Sequence, residues 1–165
     1  MKIGIISDSH DNLENLKKTI QIFKDNSIEA ILHAGDLISP FCVVPFSDFK
    51  GRFYVCAGNN LGDEDYLREL IAGIGHYFKY VGRIELADKT FALYHGTSDL
   101  IVEALLKSQL YDYVIVGHTH KKETKKHGKT ILINPGELYG NLFGEATFAI
   151  LETTTNRVEF HKLDC

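Results

Sequence analysis

Seven side chains of metal-ligand type fall in five short segments, and each segment directly follows a run that reads as a β-strand. Asp8 and His10 follow Ile3-Gly4-Ile5-Ile6, and Asp36 follows Ala30-Ile31-Leu32-His33. Asn59 comes after Phe53-Tyr54-Val55-Cys56, His95 after Phe91-Ala92-Leu93-Tyr94, and His118 with His120 after Tyr113-Val114-Ile115-Val116. In an open sheet, ligands bind beyond the carboxyl ends of the strands, so residues distant in sequence converge there. Carboxylate, amide and imidazole donors in this mix suit Mn, Fe, Ni, Co or Zn, and the lack of thiolates argues against a structural zinc knot. The set reads as the centre of a two-metal hydrolase. Taken singly, an Asp or Asn at a strand end is usually a turn former or a helix cap, and a histidine beside glycine is an ordinary surface residue. The five segments together carry the reading. Gly35, Gly58 and Gly117 stand immediately before Asp36, Asn59 and His118, where a missing side chain lets the backbone pass close to a metal.

Positioning such donors requires a sheet whose strands end side by side. Asn12 caps a helix whose apolar residues Leu13, Leu16, Ile20 and Phe23 recur at helical spacing. Asp63, Glu64 and Asp65 open another helix, with negative charge at its positive end. Strand-helix-strand alternation predicts right-handed crossovers and a parallel sheet. From about residue 80 the pattern changes: 80–87, a turn at Asp88-Lys89, and 90–94 read as a hairpin. A helix over about 100–109 follows, then the strand into Gly117. Residues 123–163 read as a β-meander, with turns near His127-Gly128, Asn134-Pro135-Gly136 and Thr155-Asn156, which predicts a second, largely antiparallel sheet. The expected fold class is α/β: a four-layer α/β/β/α sandwich of two mixed sheets flanked by helices, in a single domain over residues 1–165.

A chain of 165 residues is long enough for a full core in one domain, and its 44% hydrophobic and 24% charged content is ordinary for a globular protein. The net charge of -4 gives no general attraction to nucleic acid or to an anionic membrane, and no dedicated nucleic-acid-binding surface is evident. No apolar run approaches the roughly 18 residues of a membrane span. The first apolar run leads straight into Asp8, unlike a signal peptide. Three cysteines, Cys42, Cys56 and Cys165, without a Cys-x-x-Cys spacing, suggest reduced thiols in a cytoplasmic protein, with Cys56 a small buried hydrophobe. A homo-oligomer is compatible with the sequence.

The order Asp-x-His, Gly-Asp, Gly-Asn, His-Gly, Gly-His-Thr-His resembles the calcineurin-like metallophosphoesterases, over at least residues 8–120, and Asn134-Pro135-Gly136 looks like a later turn of that family. The nearest group is that of the small single-domain phosphodiesterases of bacteria and archaea. The resemblance implies a metal-dependent phosphodiesterase with two divalent transition-metal ions, Mn2+ or Ni2+ foremost, and a small phosphodiester substrate. It implies that Asp8, His10, Asp36 and His120 hold the first metal, and that Asp36 bridges to a second, completed by Asn59, His95 and His118. Two carboxylates and a bridging hydroxide leave residual positive charge for a phosphate, and paired metals roughly 3.5–4 Å apart acidify a shared water into the nucleophile. Asp36, His95 and Asn60 would then be the catalytic residues.

Many members of the family carry histidine directly after the Gly-Asn pair, where this chain has Asn60. An amide can donate a hydrogen bond to a phosphate oxygen but cannot deliver a proton at neutral pH. General acid catalysis contributes about a hundred- to ten-thousand-fold, so the departure disfavours a broad, fast phosphomonoesterase and fits a diesterase dependent on a good leaving group. The rival readings are a slow phosphomonoesterase and a non-catalytic scaffold like the retromer subunit of this fold, against which all seven ligand positions are filled. His33 reads as a satisfied core histidine with a supporting role to the metals as the alternative, and His76, His127 and His161 as surface residues. Lys121, Lys122, Lys125, Lys126 and Lys129 form either a solvated hairpin or a positive rim that guides an anionic substrate.

Overall fold

A computed structural model describes residues 1–163. The chain runs through β1 (Lys2–Ile6), α1 (Leu13–Asp25), β2 (Ala30–His33), a 3-10 helix (Pro40–Phe46), β3 (Arg52–Cys56), α2 (Glu64–Ala72) and β4 (His76–Phe78). It continues through β5 (Gly82–Leu86), β6 (Lys89–Leu93), α3 (Asp99–Lys107), β7 (Tyr113–Ile115), β8 (Lys122–His127), β9 (Thr130–Pro135), β10 (Thr147–Glu152) and β11 (Arg157–Lys162). Six strands form one sheet in the order β11-β10-β1-β2-β3-β4, and five form a second in the order β5-β6-β7-β9-β8. Among the described residues, no helix is long and apolar enough to cross a membrane.

The period of two along β1 sorts its side chains between layers. Ile3 and Ile5 join Ala30, Leu32, Phe91, Leu93, Ile115 and Ile133 in the core between the sheets. Ile6 faces the other way, onto Leu16, Ile20 and Phe23 of α1. Gly4 shares that outer face because a Cβ there would come within 2.5 Å of the Phe23 ring. The α1 helix begins where Asn12 accepts a hydrogen bond from the main-chain N–H of Asn15, and α2 where Asp63 accepts from that of Tyr66. Helix α3 covers the second sheet, packing Leu106 against Ala92, Val114 and Leu132. The four layers are therefore α1 and α2, the six-stranded sheet, the five-stranded sheet, and α3, as the sequence predicted.

Four details differ from expectation. The second sheet is mixed rather than largely antiparallel: β6-β7 and β7-β9 pair parallel, because α3 carries the chain back between β6 and β7, and β8 does so between β7 and β9. Residues 123–163 form two hairpins in different sheets, not one meander. β10 is buried on both faces, with Phe148 against α1 and Ala149 and Leu151 between the sheets, so it fits beside β1 inside the six-stranded sheet. β8 is exposed along its whole length and suits only an edge. The first hairpin turns at Ala87-Asp88, both left-handed (φ 51° and 58°), one residue earlier than expected. The 3-10 helix and β4 were not anticipated. Both are short, and β4 has only three residues.

Cys42 and Cys56 are buried free thiols. Burial, with Asp11 beside it, pushes the Cys42 thiol up to about 12, and burial pushes Cys56 up as well. Cys165 lies outside the described residues.

Candidate metal centre

The carboxyl ends of β1, β2 and β3 in one sheet face those of β6 and β7 in the other, and the loops leaving them are stitched together by main-chain bonds. Asp8 N donates to Gly35 O (3.0 Å), His10 N to Asp36 O (3.1 Å) and Gly117 N to His95 O (2.8 Å). His118 N donates to Asp8 Oδ2 (3.0 Å), which ties the two sheets. Asp8, His10, Asp36, His118 and His120 all adopt left-handed backbone conformations, with φ of 51°, 40°, 57°, 66° and 59°. Such conformations are uncommon for residues other than glycine and cluster where function holds them. A Cβ on Gly58 would fall 1.8 Å from Asp36 Oδ1, and one on Gly117 would fall 1.8 Å from Ser7 Oγ. The glycines before the donors thus make room for buried side chains.

Asp8 Oδ1 lies 3.3 Å from His120 Nε2 and 4.0 Å from the Nε2 atoms of both His10 and His95. Asp36 stands between two imidazoles, with Oδ1 3.5 Å from His95 Nε2 and Oδ2 3.4 Å from His10 Nε2. Two overlapping sets result, Asp8-His10-His120 and Asp8-Asp36-His95, each with donor atoms within 4.8 Å of one another. Asn59 Oδ1 approaches His95 Nε2 at 2.9 Å, and the His118 ring meets the His95 ring edge-on at 5.1 Å. All seven predicted donors are thus brought to one place.

The polar atoms there suit a cation. Asp8 Oδ1 and His10 Nε2 are buried with no hydrogen-bond partner, a costly state for isolated groups. His95 Nδ1 is 2.7 Å from Ala34 O, which can only accept, so Nδ1 carries the ring proton. In the neutral ring Nε2 then presents a lone pair toward Asn59 Oδ1 and the two aspartates. Positive charge, whether a second ring proton or a metal, satisfies such a convergence. Burial pushes the Asp8 carboxyl up, with the imidazoles of His95 and His120 acting against it. Burial acts on Asp36 too, but the hydrogen bond and charge of His95 and two donors from Asn60 outweigh it and hold Asp36 well below the usual carboxylate range. His95 mirrors this: burial opposes its charge, and Asp36 and Asp8 prevail, raising its pKa.

Comparison with known proteins places the chain in a family. A profile of the calcineurin-like phosphoesterase superfamily domain matches residues 1–156. The chain belongs to that superfamily. A phosphodiesterase of Methanocaldococcus jannaschii is 38% identical over 155 residues, 93% of each chain. The solved structure of an archaeal phosphodiesterase superimposes with a TM-score of 0.94 at 36% identity, covering 99% of this chain and 100% of the other. Vps29 of Entamoeba histolytica, solved with Zn2+, shares the fold with a TM-score of 0.67 at 19% identity and 99% coverage of both chains.

The sequence reading assigns no supporting role to two residues of this phosphoesterase, Glu137 and, beyond its place in the Asn-Pro-Gly turn, Asn134. Glu137 Oε2 lies 2.5 Å from His120 Nδ1, which leaves Nε2 of that ring turned toward Asp8. Its other oxygen accepts from the N–H groups of Leu142 and Phe143. A carboxylate behind a ligating imidazole is the usual outer support of a metal site. Asn134 donates from its side chain to Gly117 O and Thr119 Oγ1, fixing the Gly-His-Thr-His loop. The only signal was position, since both residues belong to the Asn-Pro-Gly-Glu run that ends β9.

Other expectations resolve in detail. Asn60 was aimed at a phosphate, whereas its main-chain N–H and side-chain amide both donate to Asp36. His33 is fully buried, with Nε2 3.1 Å from Ser9 Oγ but Nδ1 without a partner, and burial lowers its pKa to about 3. His161 is less simply a surface residue, because its ring stacks on Phe148 at 5.1 Å. Of the five lysines, Lys121 and Lys122 border a hollow of about 210 Å3 beside His120, whereas Lys125 and Lys126 line another beside Phe160. A larger hollow of about 560 Å3 between α2 and β4 lies away from the donors, and we assign it no part in the chemistry.

Proposed function

We propose that this phosphoesterase is a phosphodiesterase acting on small phosphodiesters, with two divalent transition-metal ions held by the seven donors. One ion would be held by Asp8, His10, Asp36 and His120, and the other by Asp36, Asn59, His95 and His118, with Mn2+ or Ni2+ favoured by the imidazole-rich set. The observation that carries the reading is Asp36, each of whose oxygens faces a different imidazole. The ions, when bound, would supply Lewis acidity toward the phosphoryl oxygens and an acidified water as nucleophile.

The chain's own residues set the conditions for that chemistry. Asp8 and Asp36 bring two negative charges, too few to neutralise two dications, so a singly charged diester is attracted. Ala34 fixes His95 with its Nε2 lone pair inward, and Glu137 does the same for His120. Asn60 holds Asp36 and offers no acidic proton to the departing oxygen. Substrates whose leaving group departs as a stable anion are therefore preferred. The reduced thiols of Cys42 and Cys56 fit a cytoplasmic protein. The scaffold alternative has no specific observation in its favour, because the likeness to Vps29 is one of fold alone.

The test is turnover of bis(4-nitrophenyl) phosphate and of 4-nitrophenyl phosphate by metal-reconstituted protein, with bound metal quantified in parallel. Faster hydrolysis of the diester is expected. Metal-loaded protein that turns over neither ester would end the proposal.

A further inference from the structure

A cleft of about 350 Å3 opens directly off the candidate metal centre, and two donors, Asn59 and His95, form part of its wall. Its remaining wall is mostly apolar and aromatic, chiefly Ala57, Leu61, Tyr80 and Tyr94, with Thr97, Glu64 and Lys79 as its polar side chains. Two features set its chemistry. Tyr80 is 72% exposed, an uncovered aromatic face at the mouth, and Leu61 is 39% exposed beside it. Tyr94 is buried, its hydroxyl engaged by Thr97 Oγ1 at 2.8 Å and by the N–H of Ser98 at 3.0 Å, so its polar group is already satisfied.

The one carboxylate in the wall, Glu64, is also satisfied. Its oxygens accept from Tyr77 OH at 3.2 Å and Lys79 Nζ at 3.3 Å, and Lys79 itself lines the cleft. An anionic ester entering here therefore meets no free negative charge. We infer that this cleft receives one ester arm of the substrate, and that the arm is a flat aromatic group stacking on Tyr80. The inference rests on the phosphodiesterase reading and adds a substrate class to it. Contiguity with Asn59 and His95 favours this occupant, since a phosphate at the donors would project an arm into the opening. The volume lies at the small end of ligand pockets, suited to a nucleoside or aryl alcohol and too small for a longer chain.

Calorimetric titration of the metal-loaded protein with three monoanionic methylphosphonate esters tests this: methyl, phenyl and thymidine 5′. None depends on turnover for its reading. Stacking on an aromatic side chain should tighten the phenyl and thymidine esters about tenfold over the methyl ester. Tyr80→Ala should bring both down to the affinity of the methyl ester, and Tyr80→Phe should keep the gain. A gain for the thymidine ester alone identifies a nucleoside arm, and equal gains identify an aryl group in general. Equal affinity for all three esters, or a gain that survives Tyr80→Ala, overturns the inference. Failure of diester turnover would instead remove the phosphodiesterase reading and leave these constants to decide the cleft.

Discussion

Asn60 holds Asp36 at both oxygens, its main-chain N–H donating to Oδ1 at 2.9 Å and its side-chain amide to Oδ2 at 2.7 Å. The residue at the position where the family resemblance leads one to expect a histidine is thus a support for the Asp36 carboxylate. Its two properties, gripping Asp36 and lacking an acidic proton, can be separated by substitution.

Asn60→His should raise the rate on diesters with poor leaving groups relative to those with good ones, by up to about a hundred-fold. The ratio is the proper readout, because loss of the grip on Asp36 lowers both rates alike. A new pH dependence centred near about 6.5 should accompany the change. An unaltered ratio across leaving groups would show that position 60 does not govern protonation.

Asp36→Ala should lower kcat/KM by at least about a hundred-fold, beyond what loss of a supporting partner usually costs. Both metal sites should weaken together, since each oxygen of Asp36 faces a different imidazole. Asn59→Ala should weaken one site only. Titration calorimetry that found two intact sites in the Asp36 variant would disprove the ligand assignment.

Glu137→Gln should cost about ten- to a hundred-fold in metal affinity, chiefly at the site that includes His120. The amide can still accept from Leu142 and Phe143 through its oxygen, so the loop stays in place while His120 loses its anionic partner. Unchanged metal affinity would mean that Glu137 serves only the loop.

Exhaustive chelation should abolish activity, and Mn2+ or Ni2+ should restore it better than Mg2+, which prefers oxygen donors. Full activity in the stripped protein would rule out the metal mechanism.

His33 predicts a pH dependence of stability. Its pKa is about 3 when folded, because of burial, against about 6.5 in an unfolded chain. Between these values the unfolded chain binds a proton that the folded one does not, so stability is full above about 6.5 and falls as pH drops toward 3. The slope from this group is on the order of 1 kcal/mol per pH unit. Urea midpoints of chelated protein near about pH 7 and about pH 5 should differ more in the wild type than in His33→Asn. Equal differences would acquit His33.

Much of this was readable from the sequence because the donors announce themselves. Each follows an apolar strand run, three sit behind glycine, and the four layers follow from the switch between helical and strand periodicity. What escaped depends on contacts between segments. Glu137 is one carboxylate among many until the fold sets it behind His120. The grip of Asn60 on Asp36 crosses 24 residues of sequence. The crossing of the tail from one sheet to the other was hidden because a run buried on both faces and one exposed on both look equally β-like in isolation. Only the first can lie inside a sheet.

The donors come from both sheets: Asp8 and Asp36 from strand ends of one, His95 and His120 from the other. A cation bound among them is therefore a cross-link between two halves of the molecule, made by residues more than a hundred positions apart. It forms only when the sheets have docked, and it resists their separation with a free energy that grows with the logarithm of metal concentration. With metal held as proposed, chemistry and architectural cohesion would share one fastening, and starving this chain of metal would loosen its fold as well as stop its turnover.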